Sequence, residues 1–373
     1  MAKNQAVHEV DTRLKVKISQ AIRMVTQCIK AKKVPMIHGS PAIGKSGIVH
    51  QIAEQYNLLL IDLRLSQCDP TDLMGFPQIN AALGRAGYVP MDTFPIEGEA
   101  LPAYRDAEGR EVIEDDGKGG RRVKRYAGWI LFLDEFNSAS VAVQAASYKI
   151  VLDRMVGKHR LHTNVAVVCA GNLESDGAIV EQMSTALQSR LVHLELQVCP
   201  IEWTKWAIAK GIDHRIISFI EFQPNSLYTF KPDHTDWTYS SPRTLEFADS
   251  FFKIMDVTDP DMMPLLAGTL SHGVAHELLV FCTIFDSLPS IHDIVTAPEA
   301  IRVSNEPSIL YAISGSMAHH ATAANIGQLM KYIKKMPIEF QIVCVRMTLG
   351  RAKSLVNDIE VQKWLEKHAT ELF

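Results

Sequence analysis

The segment Gly39-Ser40-Pro41-Ala42-Ile43-Gly44-Lys45-Ser46 constrains the fold more than any other stretch of this chain. It satisfies the pattern G-x-x-x-x-G-K-[ST] and lies directly after the apolar run Val34 to Ile37 and before the helical run Gly47 to Tyr56. Such a loop needs that setting. Its glycines let the backbone curl so that N–H groups converge on an anion, and the start of the following helix adds partial positive charge. The eight residues therefore ask for a strand, a tight phosphate-binding loop and a helix in that order. Within them, Lys45 is placed to reach the β and γ phosphates of a nucleotide and Ser46 to ligate Mg²⁺.

The next informative run is Trp129-Ile130-Leu131-Phe132-Leu133-Asp134-Glu135, continuously apolar until it ends in two acids. A strand buried on both faces of a parallel sheet reads this way, and ligands of such sheets sit at the carboxyl ends of the strands. Asp134 is thus expected to hold Mg²⁺, and Glu135 to orient and deprotonate an attacking water. A further strand, Val165 to Cys169, runs into Ala170-Gly171-Asn172, which places the Asn172 amide to contact a γ-phosphate or that water. With Leu58 to Leu65 and Val192 to Val198, the strand-like runs alternate with helical stretches, the signature of an α/β fold with a mostly parallel sheet. Ahead of them, Leu14, Ile18, Ala21, Ile22, Val25 and Ile29 recur at steps of three and four, so the spacing predicts an amphipathic helix within residues 12 to 31.

Beyond Pro200 the apolar spacing becomes helical throughout, as in Trp203, Trp206 and Ala207 and then Ile216, Ile217, Phe219 and Ile220. A chain of 373 residues fits two domains, here 1–199 and a mainly helical 200–373. Residues 76–126 read as an insertion in the first. Within it, Gly87-Tyr88-Val89-Pro90 is expected to open a hairpin, and an acidic arm (Arg110 to Asp116) and a basic arm (Arg121 to Tyr126) flank a glycine turn that would let opposite charges face each other. The formal net charge is -4, and nothing globally basic marks a nucleic-acid binder. No apolar run is long enough to cross a membrane and the first residues lack a signal-peptide core, so the expected location is the cytoplasm. Six scattered cysteines show no pairing pattern. His272 and His276 are one turn apart without an apparent third ligand, while His319 and His320 are adjacent and should point in different directions; all four read as structural.

Taken together, these pieces resemble the AAA+ ATPases and, among them, the MoxR-type group related to the dynein-like modules. The resemblance covers nearly the whole chain. It is carried by the loop at Gly39 to Ser46, by Ile61-Asp62-Leu63-Arg64-Leu65-Ser66-Gln67 with Asp69-Pro70-Thr71-Asp72-Leu73 and Gly75, by Leu133-Asp134-Glu135-Phe136-Asn137-Ser138-Ala139, by Ala170-Gly171-Asn172, by Ala186-Leu187-Gln188-Ser189-Arg190 and by Ser241-Pro242-Arg243. It implies a P-loop core with a parallel five-stranded sheet and a C-terminal helical lid. The implied activity is Mg²⁺-dependent hydrolysis of ATP. Asn172 takes the place of sensor 1, Arg190 that of an arginine finger serving the neighbouring subunit, and Arg243 that of sensor 2, with Pro242 suited to the first turn of its helix. A homo-hexameric ring that remodels a protein client is implied in turn, as a chaperone and often with a partner bearing a von Willebrand factor A-like domain. The Arg121 to Arg125 cluster leaves a nucleic-acid motor or loader as the alternative. Ile43 and Ser46 stand where relatives often carry leucine and threonine, which leaves the chemistry intact.

Overall fold

The computed structural model describes residues 15–82, 84–115, 117, 119–177, 181–285 and 287–372. Leu14 of the predicted helical stripe and Asp116 and Lys118 of the charged arms lie outside these residues. The chain divides into two compact units, Met1–Gln197 and Val198–Phe373.

In the first unit the elements are β1 (Lys15–Val16), α1 (Ile18–Lys30), β2 (Val34–His38), α2 (Lys45–Gln55), β3 (Leu58–Arg64), α3 (Pro70–Met74), β4 (Phe76–Asn80), β5 (Arg85–Val89), β6 (Ile113–Asp115), β7 (Arg121–Val123), β8 (Gly128–Asp134), α4 (Val141–Asp153), β9 (Met155–Val156), β10 (His159–Arg160), β11 (Val165–Gly171), α5 (Thr185–Gln188) and β12 (Leu191–Leu196). Six strands form one sheet in the order β1-β12-β2-β11-β8-β3, every neighbouring pair parallel. The five strands predicted from apolar runs are all in it. The sixth is a correction to the predicted helix: Lys15 and Val16 pair with Glu195 and Leu196, and α1 begins only at Ile18.

Period two along β8 explains the layering. Trp129, Leu131 and Leu133 pack with Val143 and Ile150 of α4 on one face, while Ile130 and Phe132 are fully buried on the other. Each such side chain removed from water contributes about 1.5–3 kcal/mol, which makes the central strand a rigid support for whatever follows its last residue.

The insertion forms two hairpins. β4 pairs antiparallel with β5, and Tyr88 and Val89 lie on the returning strand opposite Pro77 and Phe76, so Gly87 to Pro90 close that hairpin where the sequence had suggested an opening. In the other, β6 pairs with β7, placing Glu114 opposite Arg122 with Nε to Oε1 at 2.9 Å. Below it Tyr104 and Tyr126 stack at 3.9 Å and Lys124 lies over the Tyr104 ring.

The second unit is helical: α6 (Pro200–Lys210), α7 (His214–Phe222), α8 (Pro242–Phe252), α9 (Met262–Leu270), α10 (His272–Phe285), α11 (Ile291–Thr296), α12 (Pro307–His320), α13 (Ile326–Ile333), α14 (Ile338–Arg351) and α15 (Ile359–Leu372). Two apolar clusters hold it, one around Phe219, Leu245, Leu266 and Leu278, the other around Leu310, Met330, Tyr332 and Trp364. His272 and His276 are exposed on α10. His319 and His320 do not diverge as adjacency suggested. Both rings meet His214, at 4.5 and 6.2 Å, because they end α12. Burial pushes the His214 imidazole down to about 3, and burial likewise lowers that of His319, with the Arg351 charge adding to it. Among the described residues no helix is long and apolar enough to cross a membrane.

Candidate active site

Three strand ends and one loop converge at the carboxyl edge of the sheet in the first unit. The loop leaves β2 after His38 and enters α2 at Lys45. Its last turn before the helix passes through Gly44 at φ 101°, a left-handed conformation that glycine adopts without steric cost. Gly44 brings no side chain to cap α2, so the amides of the first helical turn keep their capacity for an anion. The Lys45 ammonium donates to the carbonyls of Gly39 (2.6 Å) and Ser40 (3.0 Å) and to Oδ1 of Asn172 (2.9 Å). The loop is also tied to β11 by Gly39 N–H donating to the Gly171 carbonyl at 3.3 Å.

Beyond β8, Asp134 accepts from Ser46 Oγ at 3.4 Å and from the Glu135 amide at 2.8 Å. Glu135 itself has φ 54° and ψ 34°, a left-handed conformation uncommon for a residue with a side chain and of the kind that gathers at functional sites. Its carboxylate accepts from the Ser66 hydroxyl, which follows the end of β3. Asp62 adds a third carboxylate on β3. Burial raises its carboxyl first, and the charges of Asp134 and Glu135 raise it further, with Arg64 and His50 opposing. This edge therefore carries concentrated negative potential beside a cationic loop.

For a divalent cation, the donor set fits Mg²⁺ in the form nucleotide sites use. A hydroxyl and a carboxylate, both hard oxygen donors, lie together, and the remaining positions would belong to phosphate and water. Among the described residues no group of three or more His, Cys, Asp or Glu could hold a metal by itself, so no closed all-protein cage competes with this arrangement.

The two sequence-predicted arginines lie one in each unit. Arg190 immediately precedes Leu191, which pairs with Val34 at the start of β2, so its backbone is at the amino edge of the sheet, four residues of strand away from His38 and the loop. Its guanidinium donates to the Ala186 carbonyl of its own α5 at 2.6 Å and is exposed. Arg243 belongs to the second unit. It is the second residue of α8, after Pro242, and is exposed; Ser241 and Thr244 cap that helix reciprocally.

Sequence reasoning assigned no role to Ser66, Asp62, His38, His193 or Asn137. The His38 ring bonds the His193 ring at 2.8 Å, and His193 bonds the Gln188 carbonyl at 2.9 Å. Asn137 and Asn172, with Glu174, Glu181 and His193, line a cavity of about 580 Å³ on this side of the sheet.

No protein-family model matches the sequence, and no curated protein matches it. Among solved structures, the chain is similar to NtrX from Brucella abortus in complex with ATP, at 14% identity over 98% of this chain and 70% of that one, with a TM-score of 0.38. It is also similar to the Thermotoga maritima RuvB Holliday junction branch migration motor, at 14% identity over 80% of each chain and a TM-score of 0.35. Likenesses this distant decide nothing further; the strand order and the geometry above stand on their own.

Proposed function

We propose that the chain is a Mg²⁺-dependent ATPase of the AAA+ class. The observation that carries this reading is the convergence of Lys45, Ser46, Asp134, Glu135 and Asn172, from one loop and two strand ends, within hydrogen-bond reach of one another or of a shared neighbour. Residues Gly39 to Ser46 hold the phosphates, Lys45 exchanging its loop carbonyls for phosphate oxygens. Ser46 and Asp134 would hold Mg²⁺, which supplies charge neutralisation at the β and γ phosphates. Glu135 draws the proton from the attacking water, and Asn172 positions that water or the γ-phosphate. Neutralising the charge that builds on the γ-phosphate from outside is the role proposed for Arg190 of a neighbouring subunit.

Within that class the reading is a MoxR-type, oligomeric ring, hexameric in the favoured form, that remodels or assembles a protein client, with a partner carrying a von Willebrand factor A-like domain. The motifs at Ile61 to Gly75, Leu133 to Ala139 and Ser241 to Arg243 support it. Arg243, on a mainly helical second domain, couples nucleotide state to that domain's movement. A nucleic-acid motor is the lesser reading, because Arg122 is already paired with Glu114 and Lys124 sits on Tyr104, which reduces the basic cluster's free charge.

Lys45→Ala tests the phosphate assignment. Losing a charge-assisted contact of about 1.5–3 kcal/mol should weaken ATP binding about tenfold to a hundredfold, read by titrating a fluorescent ATP analogue in Mg²⁺. Unchanged affinity would remove the loop from the nucleotide site.

A further inference from the structure

We infer that Asn137 is the positioning residue for Asn172, locking its main chain so that its amide is presented to the nucleotide; this rests on the ATPase reading above. β11 ends at Gly171, and the main chain of the next residue, Asn172, has left the strand. Its polar groups are satisfied by one side chain. The Asn137 amide donates from Nδ2 to the Asn172 carbonyl at 2.8 Å, and Asn137 Oδ1 accepts from the Asn172 N–H at 3.1 Å. Asn137 thus acts as a one-residue strand, closing both hydrogen bonds of its neighbour from the segment that follows Glu135.

The chemistry singles out asparagine. The pairing needs one donor and one acceptor on a single short planar group; aspartate has no donor and would set an oxygen against a carbonyl oxygen. Asn137 is 5% exposed, so breaking the pair leaves buried polar groups unsatisfied. The approach is close enough to require glycine before Asn172, since a Cβ on Gly171 would lie 2.1 Å from Asn137 Oδ1.

The consequence reaches further along the chain. With its main chain held, Asn172 has its side-chain oxygen directed to Lys45 at 2.9 Å. The Asn137 carbonyl accepts from the Glu181 N–H at 2.8 Å, in the segment that leads into α5 and Arg190. Asn137, two residues after Glu135, therefore ties the main chain of Asn172 through two hydrogen bonds and the start of the arginine-bearing segment through a third.

The test compares the full-length parent, Glu135→Gln, Asn137→Ala, Asn137→Asp and Gly171→Ala for kcat, KM, affinity for a fluorescent ATP analogue, and thermal unfolding. Displacing a catalytic contact by about an ångström costs on the order of a hundredfold, so kcat should fall about 10- to 100-fold in all three Asn137 and Gly171 variants while nucleotide affinity stays within about threefold. Adding Gly171→Ala to Asn137→Ala should lower kcat by far less than the product of the two single losses, because the Asn137 contact is common to both and only the contact with the flexible end of Met36 at 2.8 Å remains. If Asn137→Ala does not fold, the near-isosteric Asn137→Asp decides. Parental kcat in Asn137→Asp, or a loss of affinity that matches the loss of kcat, overturns the positioning role and leaves the ATPase reading standing. A parent chain that turns over no ATP, with Glu135→Gln indistinguishable from it, overturns both.

Discussion

Arg190→Ala is expected to lower ATP turnover per subunit about a thousandfold, the lower end of what an arginine supplied in trans contributes to phosphoryl transfer, while nucleotide affinity and particle size stay unchanged. Strand register fixes where this arginine stands. Leu191 pairs with Val34 and Glu195 with His38, so Arg190 enters the sheet at the edge opposite its own phosphate loop, about 13 Å of strand away at roughly 3.3 Å per residue. An exposed guanidinium that only borrows a carbonyl from its own short helix is available to another molecule at little cost. In a head-to-tail ring it would meet the γ-phosphate held by the next subunit. Turnover per subunit in the parent should then rise steeply with protein concentration, since the site is incomplete until two chains meet. Measuring that rate against concentration, with particle size followed alongside, separates the cases. If turnover is flat and Arg190→Ala is indifferent, the finger assignment fails and the chain is a nucleotide switch or acts within one subunit.

Much of this architecture was legible because the signals are local. β8 is an unbroken apolar run ending in acids, so its burial, its direction and the position of the two acids at its end follow from one stretch of sequence. The phosphate loop carries its own strand and helix as context. The β6–β7 hairpin was readable from charges that face across a turn. What stayed hidden depends on contacts between distant residues. Lys15 and Val16 form a strand only because β12 offers its edge about 180 positions later, and two residues carry no period. The Asn137 pair spans 35 positions and is expressed in sequence only as an asparagine three residues after Asp134 and a glycine before Asn172. The histidines at 319 and 320 converge on His214 because a helix ends there, which adjacency alone does not reveal.

Glu135→Gln should abolish most hydrolysis and leave binding intact, with kcat falling about a thousandfold, within the range a positioned general base contributes. Glutamine keeps the shape and can still accept from Ser66, so the left-handed turn at this residue is not disturbed; what it loses is the capacity to take a proton from water. Asp134, Ser46 and the loop are untouched, and ATP should accumulate on the protein unhydrolysed. Mixing this variant with Arg190→Ala then gives the sharper result. Each is inactive alone, but a site from the Arg190→Ala chain facing the arginine of a Glu135→Gln chain is complete. In randomly mixed head-to-tail rings about one interface in four has that composition, so an equal mixture should regain roughly a quarter of parental turnover. Two chains that each carried a whole site within themselves would show no recovery at any ratio. Recovery at about that level would place Glu135 and Arg190 on opposite sides of one shared site, which neither single variant can do.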